Sequence, residues 1–204
     1  MFPTGRKVDR LDVPGLGTIE ATLINAGNPT IFIDAASLGL VGTELQGDVN
    51  GDPDLLGLAE ALRAHGAVAM GLVKSPEEAT ASRPHTPKLA FVARPAAYTA
   101  SDGRRVEAAS IDLLARIFSM GQLHHAMTGT GAVAIAAAAA IPGTLVHRVA
   151  SVGADGRVRF GHPSGRLSVG AEAVEQAGEW VVTKVSMSRS ARRLMEGFVR
   201  VPPV

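Results

Sequence analysis

The feature that most constrains the fold of this chain is an alanine-rich segment, HHAMTGTGAVAIAAAAAIPGT, at residues 124–144. Alanine is the best helix former and Pro142-Gly143 closes the run, so the pattern predicts a helix from Gly129 to Ile141. The segment has almost no polar face. We therefore expect this helix to be buried, with the rest of the fold packed around it.

The start of the predicted helix is the best candidate for a binding site. The first backbone N–H groups of a helix have no partner within it, and they lie at the positive end of its dipole. Because glycine lets an anion approach closely, Gly129-Thr130-Gly131 predicts a site for a carboxylate or a phosphate. The sequence matches neither a P-loop nor a dinucleotide-binding turn. The alternative is that the glycines serve only close packing at the helix start.

Composition excludes several classes of protein. The 204 residues include 20 Lys and Arg against 19 Asp and Glu, which argues against a nucleic acid or an acidic membrane as partner. The chain has no cysteine, which excludes disulfides, thiolate metal sites and cysteine nucleophiles. Glycines, threonines and a Pro-Gly break interrupt the apolar run from Ala126 to Leu145, and the N-terminus lacks a signal-peptide core. We expect a single cytoplasmic domain with no membrane span.

The remaining pattern mixes strands and helices without regular alternation. Strands are predicted at residues 18–25, 30–34, 88–93, 145–152, 157–160, 165–169, 180–186 and 192–201, the last with a helix as its alternative. Asp52-Pro53 is typical of a helix start, and Ser110 indicates a second helix over Ile111 to Phe118. The polar stretch 74–87 is predicted to be a loop. This pattern favours an α+β fold, with a mixed β-roll or barrel around the central helix, over a doubly wound sheet.

Several polar side chains are candidates for contact with a ligand, and each has a structural alternative. Ser119, in SMG, lacks the sequence context of a known serine nucleophile. His124 and His125 are adjacent and point in different directions, so they cannot form a helical zinc pair. One of them could carry a proton or donate to a carboxylate, while the other stabilises the structure. Asn28, in GNP, could donate an amide hydrogen bond or simply form a turn.

Two further motifs have simple structural explanations. The string GHPSG, residues 161–165, predicts a turn between two strands, although its His and Ser could face a pocket. Arg189, Arg192 and Arg193 form either a surface cluster paired with Glu196 or a fork for a di- or tricarboxylate.

Seven strings, in one order over essentially the whole chain, carry a specific family resemblance. They are FPTG, PGLGTIEATLINAGNPTIFI, GTELQGDVNGDP, HTPKLAFVA, SMGQLHHAM, RFGHPSGRLSVGAE and SRSARRLMEGFVRVP. The chain resembles the 2-methylaconitate isomerase family of the methylcitrate cycle, which includes oxalomesaconate tautomerase and methylitaconate isomerase relatives. The resemblance covers only the second half of the family's usual length. Residues 1–204 therefore look like a single C-terminal lobe without its N-terminal lobe.

The resemblance implies a diaminopimelate epimerase-like fold, in which two lobes each wrap a β-roll around a central helix. A carboxylate substrate then binds in the cleft between the lobes. Thr128 stands where the epimerases have a catalytic cysteine, and Ser119-Met120-Gly121 replaces their Glu-Arg-Gly segment. The missing thiol leaves two-base stereo-inversion unsupported. The implied reaction is a double-bond shift in a small unsaturated tricarboxylate, with no metal or organic cofactor.

The resemblance also implies roles for individual residues. Ser119 is expected to handle a proton or position the substrate, and positioning is favoured because an unassisted serine is a poor base. One wall of the cleft is expected to be formed by Asn28, His125, Thr128, Gly129, Thr130 and Gly131. The proton-transfer lysine of the family is expected in the first lobe, and no counterpart is identified in this chain.

The chain is therefore expected to be inactive alone and to need an N-terminal lobe or a homodimer partner. The alternative to an enzyme is a non-catalytic carboxylate-binding or structural module.

Overall fold

The structure is a computed structural model that describes residues 1–151, 153, 156–189 and 191–202. Two 3-10 turns, at residues 35–38 and 108–110, accompany the helices and strands. The strands in this described part are β1 (Asp9–Val13), β2 (Gly17–Ala26), β3 (Asn28–Asp34), β4 (Lys88–Ala93), β5 (Tyr98–Thr99), β6 (Arg105–Val106), β7 (Leu113–Ser119), β8 (Gln122–Leu123), β9 (Arg157–His162), β10 (Gly165–Gln176) and β11 (Glu179–Met187). The helices are α1 (Gln46–Asn50), α2 (Pro53–Ala69), α3 (Pro76–Ser82), α4 (Gly129–Ala140) and α5 (Leu145–Val149).

One large mixed sheet contains most of these strands. Its order is β1-β2-β3-β4-β7-β9-β10-β11, and β8 pairs with β7. Strands β3 and β4 are parallel, as are β7 and β9, whereas the other neighbouring pairs are antiparallel. Strands β5 and β6 form a separate hairpin. The predicted mixed α+β class is confirmed.

Helices α4 and α2 cover opposite faces of the sheet. Helix α4 packs against β2 and β3 and also against β9, β10 and β11, which lie on the other side of β4 and β7. Its alanines are buried with Phe32 and Phe160 on one face, while Leu62 of α2 is buried with Ile31 and Phe91 on the other. Short alanine side chains let strands approach the helix axis closely, which is how a helix without a polar face is accommodated.

The helix predicted over Ile111 to Phe118 is wrong, because this segment forms strand β7 between β4 and β9. Its residues from Leu113 to Phe118 are all buried, so both faces of the strand are covered. A strand of this kind has a continuous apolar run, which periodicity cannot distinguish from a buried helix. Ser110 ends a 3-10 turn instead of capping a helix.

Two further segments are helical where a strand or a loop is predicted. The segment 145–152 contains helix α5, and its Val152 lies outside the described residues. Thr144 starts this helix by accepting the His147 N–H at 3.1 Å. The stretch 74–87 contains α3, whose start has the Ser-Pro-Glu-Glu pattern of an N-cap followed by proline and two acidic residues.

The C-terminal segment differs from its prediction as well. Residues 191–202 form no helix or strand in the structure, so the strand predicted at 192–201 is wrong, as is its helical alternative. Leu194 is 81 % exposed and Met195 88 % exposed, and nothing in the described part of the chain covers them. The exposed large apolar side chains of this segment are Leu194, Met195, Phe198, Val199 and Val201.

Within the residues that the structure describes, no helix is both long enough and apolar enough to cross a bilayer.

Candidate functional site

One edge of the sheet brings together the polar ends of three strands. The parallel strands β3 and β4 begin there with Asn28 and Lys88. Strand β7 runs in the opposite direction to β4, so it ends at the same edge with Ser119. Asn28 and Ser119 are predicted from the sequence as residues of this site, whereas Lys88 is not.

The start of α4 lies at the same edge. A Cβ atom on Gly27, next to Asn28, would lie 3.5 Å from the carbonyl oxygen of Thr130. Lys88 and Ser119 are each two residues from a member of the buried cluster that α4 covers, Ala90 on β4 and Ile117 on β7. Because every second side chain of a strand points to the same face, Lys88 and Ser119 lie on the helix side of the sheet. The strand ends and the helix start therefore form one polar region.

The first turn of α4 has two free donors. Thr128 is the N-cap, and its Oγ1 accepts the N–H of Gly131 at 3.1 Å, an interaction that contributes about 1 kcal/mol at typical caps. The first helical hydrogen bond runs from the Ala132 N–H to the Thr128 carbonyl at 2.9 Å. Among the described residues, no acceptor is bonded to the N–H groups of Gly129 and Thr130. These two groups can therefore receive an anion.

The two glycines of this turn differ in their surroundings. A Cβ on Gly131 would lie 2.6 Å from Ile117 Cδ1 and 2.6 Å from Thr128 Oγ1, so Gly131 is required for packing. A Cβ on Gly129 would approach only the guanidinium of Arg189, with Nη2 at 3.0 Å. The packing explanation thus accounts for Gly131, whereas Gly129 faces an exposed cation.

The remaining arginines of the basic cluster are not equivalent to Arg189. Arg193 donates to Glu196 at 2.6 Å, and both side chains are exposed. The surface-pair interpretation therefore describes Arg193, while Arg189 lies beside the start of α4.

Asn28 is held with its amide nitrogen available. Its Oδ1 accepts a hydrogen bond from Thr86 Oγ1 at 3.2 Å, and its backbone carbonyl accepts from Thr30 Oγ1 at 2.9 Å. Because the side-chain oxygen is already used, the Nδ2 group is the part left to contact a ligand.

The sequence suggests that Ser119 has no assisting residue, but the structure gives it a partner. Lys88 Nζ donates to Ser119 Oγ at 2.8 Å across strands β4 and β7. Burial and the nearby Arg63 charge lower the pKa of Lys88 below its usual value. The strand register that makes this pair is set by residues far apart in sequence, so only a correct assignment of both strands would have revealed it.

The adjacent histidines stack on each other instead of pointing apart, with ring centroids 4.4 Å apart. His124 Nδ1 accepts the Ala126 N–H at 3.1 Å, and burial lowers the pKa of His124. His125 is exposed, and its carbonyl accepts the hydroxyl of Ser164 in the β9–β10 turn. His124 thus has the structural role, and His125 remains the candidate for ligand contact.

A third histidine lies near His124 and His125. His162 ends β9, and its Nδ1 accepts the Ser164 N–H at 3.2 Å, which places the proton of the neutral ring on Nε2. Burial, followed by the charges of Arg116, His124 and His125, lowers the pKa of His162 to about 4. In the part of the chain described, no three His, Asp or Glu side chains are grouped as a metal site.

The chain is similar in sequence to known isomerases. It is 63 % identical to a 2-methyl-aconitate isomerase of Shewanella oneidensis over 202 residues, which are 99 % of this chain and 51 % of that protein. It is 59 % identical to a 2-methyl-aconitate isomerase of Cupriavidus necator, again over 99 % of this chain and 51 % of that protein. The chain therefore spans about half the length of the curated relatives it matches.

A solved structure supports the fold. The crystal structure of methylitaconate-delta-isomerase superposes with a TM-score of 0.82 at 31 % sequence identity, covering 92 % of this chain and 49 % of that one. The family described as PrpF protein matches residues 1–202. With the family resemblance of the sequence thus confirmed, the chain belongs to the PrpF protein family.

Proposed function

We propose that this chain is one half of an isomerase that shifts a double bond in a small unsaturated tricarboxylate such as 2-methylaconitate. The names of its close relatives support the substrate class. The observation that carries the proposal is the pair of free N–H groups on Gly129 and Thr130, beside Ser119 and the Asn28 amide.

The chemistry follows from these groups. A carboxylate and a conjugated double bond acidify the neighbouring C–H, so its proton can be removed to give a dienolate. Reprotonation at another carbon completes the shift, and no electrons leave the substrate. Fixed N–H groups at the start of α4 stabilise the developing negative charge. In this scheme no metal or organic cofactor takes part.

The chain supplies one wall of the substrate cleft. We infer a diaminopimelate epimerase-like lobe, in which the sheet curls around α4 and Asn28, Ser119, His125 and the first turn of α4 face a second lobe. Two observations support a partner for this chain. It matches only about half the length of its relatives, and its segment 191–202 exposes large apolar side chains. That partner is an N-terminal lobe or a second copy of this chain.

Carboxylate binding to the helix start can be tested by removing a single N–H group. Thr128 has φ −69° and ψ 146°, a conformation that a following proline accepts, and proline is well tolerated at the first helical position. Gly129→Pro should weaken aconitate binding by about tenfold or more, because a charge-assisted hydrogen bond is lost. Isothermal titration calorimetry of the chain measures the effect.

The matched control is Gly129→Ala, which adds a Cβ but keeps the N–H. It should bind aconitate within about twofold of the parent chain, since the Cβ meets only the flexible end of Arg189. Equal affinities for the proline and alanine variants would rule out this N–H as a ligand group.

A second experiment separates the enzyme from the alternative, a carboxylate-binding module. The chain is mixed with the half of the Shewanella oneidensis relative that it does not match, in heavy water with 2-methylaconitate. An enzyme incorporates deuterium into the acid, and we expect this in the mixture but not with the chain alone. Binding of the acid without exchange in the mixture would favour the module.

A further inference from the structure

Lys88 and Ser119 form a hydrogen-bonded pair of polar side chains on neighbouring strands. They lie opposite each other, one residue beyond the paired Leu89 and Phe118, at the edge where β4 begins and β7 ends. The bond of 2.8 Å from Lys88 Nζ to Ser119 Oγ crosses the two strands on the side that α4 covers. The pair therefore lies in the polar region described above.

Lys88 lacks the usual partner of a half-buried lysine. Within the described part of the chain no carboxylate lies within ion-pair distance of its Nζ. The charge that acts on Lys88 is the cation Arg63, which is itself bound to Glu60 at 2.6 Å. A desolvated lysine beside a like charge is an acid of greater than usual strength, and such groups concentrate at functional sites.

The direction of the hydrogen bond leaves the serine proton available. Since Ser119 Oγ accepts from Lys88, its own O–H must point elsewhere. No acceptor among the described residues receives that proton. The hydroxyl of Ser119 can therefore donate to a ligand that lies at the start of α4.

We propose that Lys88 is a relay residue that passes a proton through Ser119 to the substrate carbon. The inference rests on the proposed function. As the dienolate carbon takes the proton of Ser119 Oγ–H, Oγ takes a proton from the Lys88 ammonium. One C–H bond forms, one N–H bond breaks, and the O–H bond of Ser119 is renewed. Lys88 is left neutral and regains its proton from solvent before the next turnover.

The effect of Lys88→Arg distinguishes a lysine that only stabilises the structure from one that relays a proton. Lys88→Arg keeps a positive donor to Ser119, but the guanidinium of arginine does not release a proton. Rescue by arginine would show that only charge and hydrogen bonding matter. A relay predicts that Lys88→Arg is as defective in proton transfer as Lys88→Met.

The first experiment uses the chain alone, so it does not depend on turnover. The pKa of Lys88 is measured by NMR of its side-chain ¹³Cε, with and without aconitate. A bound trianion near the pair should raise this pKa by about one unit, as opposite charges at close range do. Calorimetry on the same samples reports binding. If aconitate binds and the pKa of Lys88 is unchanged, the relay is wrong while the binding site stands.

The second experiment measures deuterium incorporation into 2-methylaconitate by the mixture with the complementary half. Lys88→Met and Lys88→Arg should each slow exchange at least tenfold, while aconitate affinity falls much less. In a Ser119→Ala background the further loss from Lys88→Met should be under about twofold, because the two residues act as one unit. Lys184→Met, an exposed lysine on β11, should behave as the parent chain.

The pH profile gives a last check. In the mixture with the complementary half, exchange by the parent chain should decline above the apparent pKa of Lys88, a group that Arg63 and His124 face, and the Lys88→Met mixture should lack that decline. Additive losses in the double variant, or rescue by arginine, would overturn the relay. A mixture with no exchange and a chain with no aconitate binding would instead contradict the proposed function itself.

Discussion

Replacing Arg116 with alanine is expected to lower the free energy of unfolding by about 3–5 kcal/mol, the largest effect of any single change considered. Arg116 is fully buried at the centre of β7. It donates to the carbonyls of Glu44 at 2.7 Å and of Ala115 and Gly161 at 3.1 Å. Its Cζ lies 5.0 Å from the centre of the Tyr98 ring. The substitution would leave buried carbonyls without donors and a cavity beside the aromatic ring.

The environment of Arg116 also explains why its charge is tolerated. Burial lowers the pKa of Arg116 to about 10, so the group remains charged at neutral pH. Three carbonyl oxygens and an aromatic face replace the water that the guanidinium loses. Its Nη2 has no hydrogen-bond partner among the described residues, so the compensation is incomplete.

Chemical denaturation monitored by circular dichroism measures the loss. Arg105→Ala, in the exposed pair with Glu107, is the matched control and should change stability by no more than about 0.5 kcal/mol. A loss below about 1 kcal/mol for Arg116→Ala would show that the three carbonyl contacts contribute little.

The second large effect is a loss of stability in mild acid that originates at His162. Its pKa is about 4 in the folded chain against an ordinary value of 6.5, so between these values the unfolded chain binds a proton that the folded chain excludes. The contribution of neutral His162 to the free energy of unfolding is therefore fully present above pH 6.5, and it is lost as the pH drops towards 4. The difference amounts to about 3 kcal/mol.

The His162→Gln variant isolates this contribution. Urea denaturation at several pH values between 7 and 4 should give a steep loss for the parent chain and a flatter one for the variant. His85→Gln, on an exposed loop, should keep the steep loss. Parallel curves for the parent chain and His162→Gln would show that other groups cause the acid sensitivity.

Features encoded by neighbouring residues could be predicted from the sequence. Helix α4 is found within one residue of its predicted bounds, because alanine propensity and the Pro-Gly stop are local. Asp52 caps α2 as expected, with its carboxylate accepting the Leu55 N–H at 3.0 Å. The two free N–H groups at the start of α4 follow from the same local signals.

Features set by contacts between distant segments could not be predicted. The string LLARIFS appears helical on its own, and only the strands on both sides of β7 make it a buried strand with Arg116 at its centre. For the same reason Ser119 seemed to be a serine without a partner. Lys88 is 31 residues away in the chain and is aligned with it only by the sheet register.

Helix α4 contacts strands near both ends of the sheet order, and this packing has a consequence for mutations in its first turn. The Gly129 and Thr130 amides belong to the main chain, and their direction is set by helix α4, which packs against strands from β2 to β11. Most side-chain substitutions at these positions leave the amides in place. The two amides therefore keep their positions when neighbouring side chains change, and a group that binds to them would meet donors that need no ordering on binding.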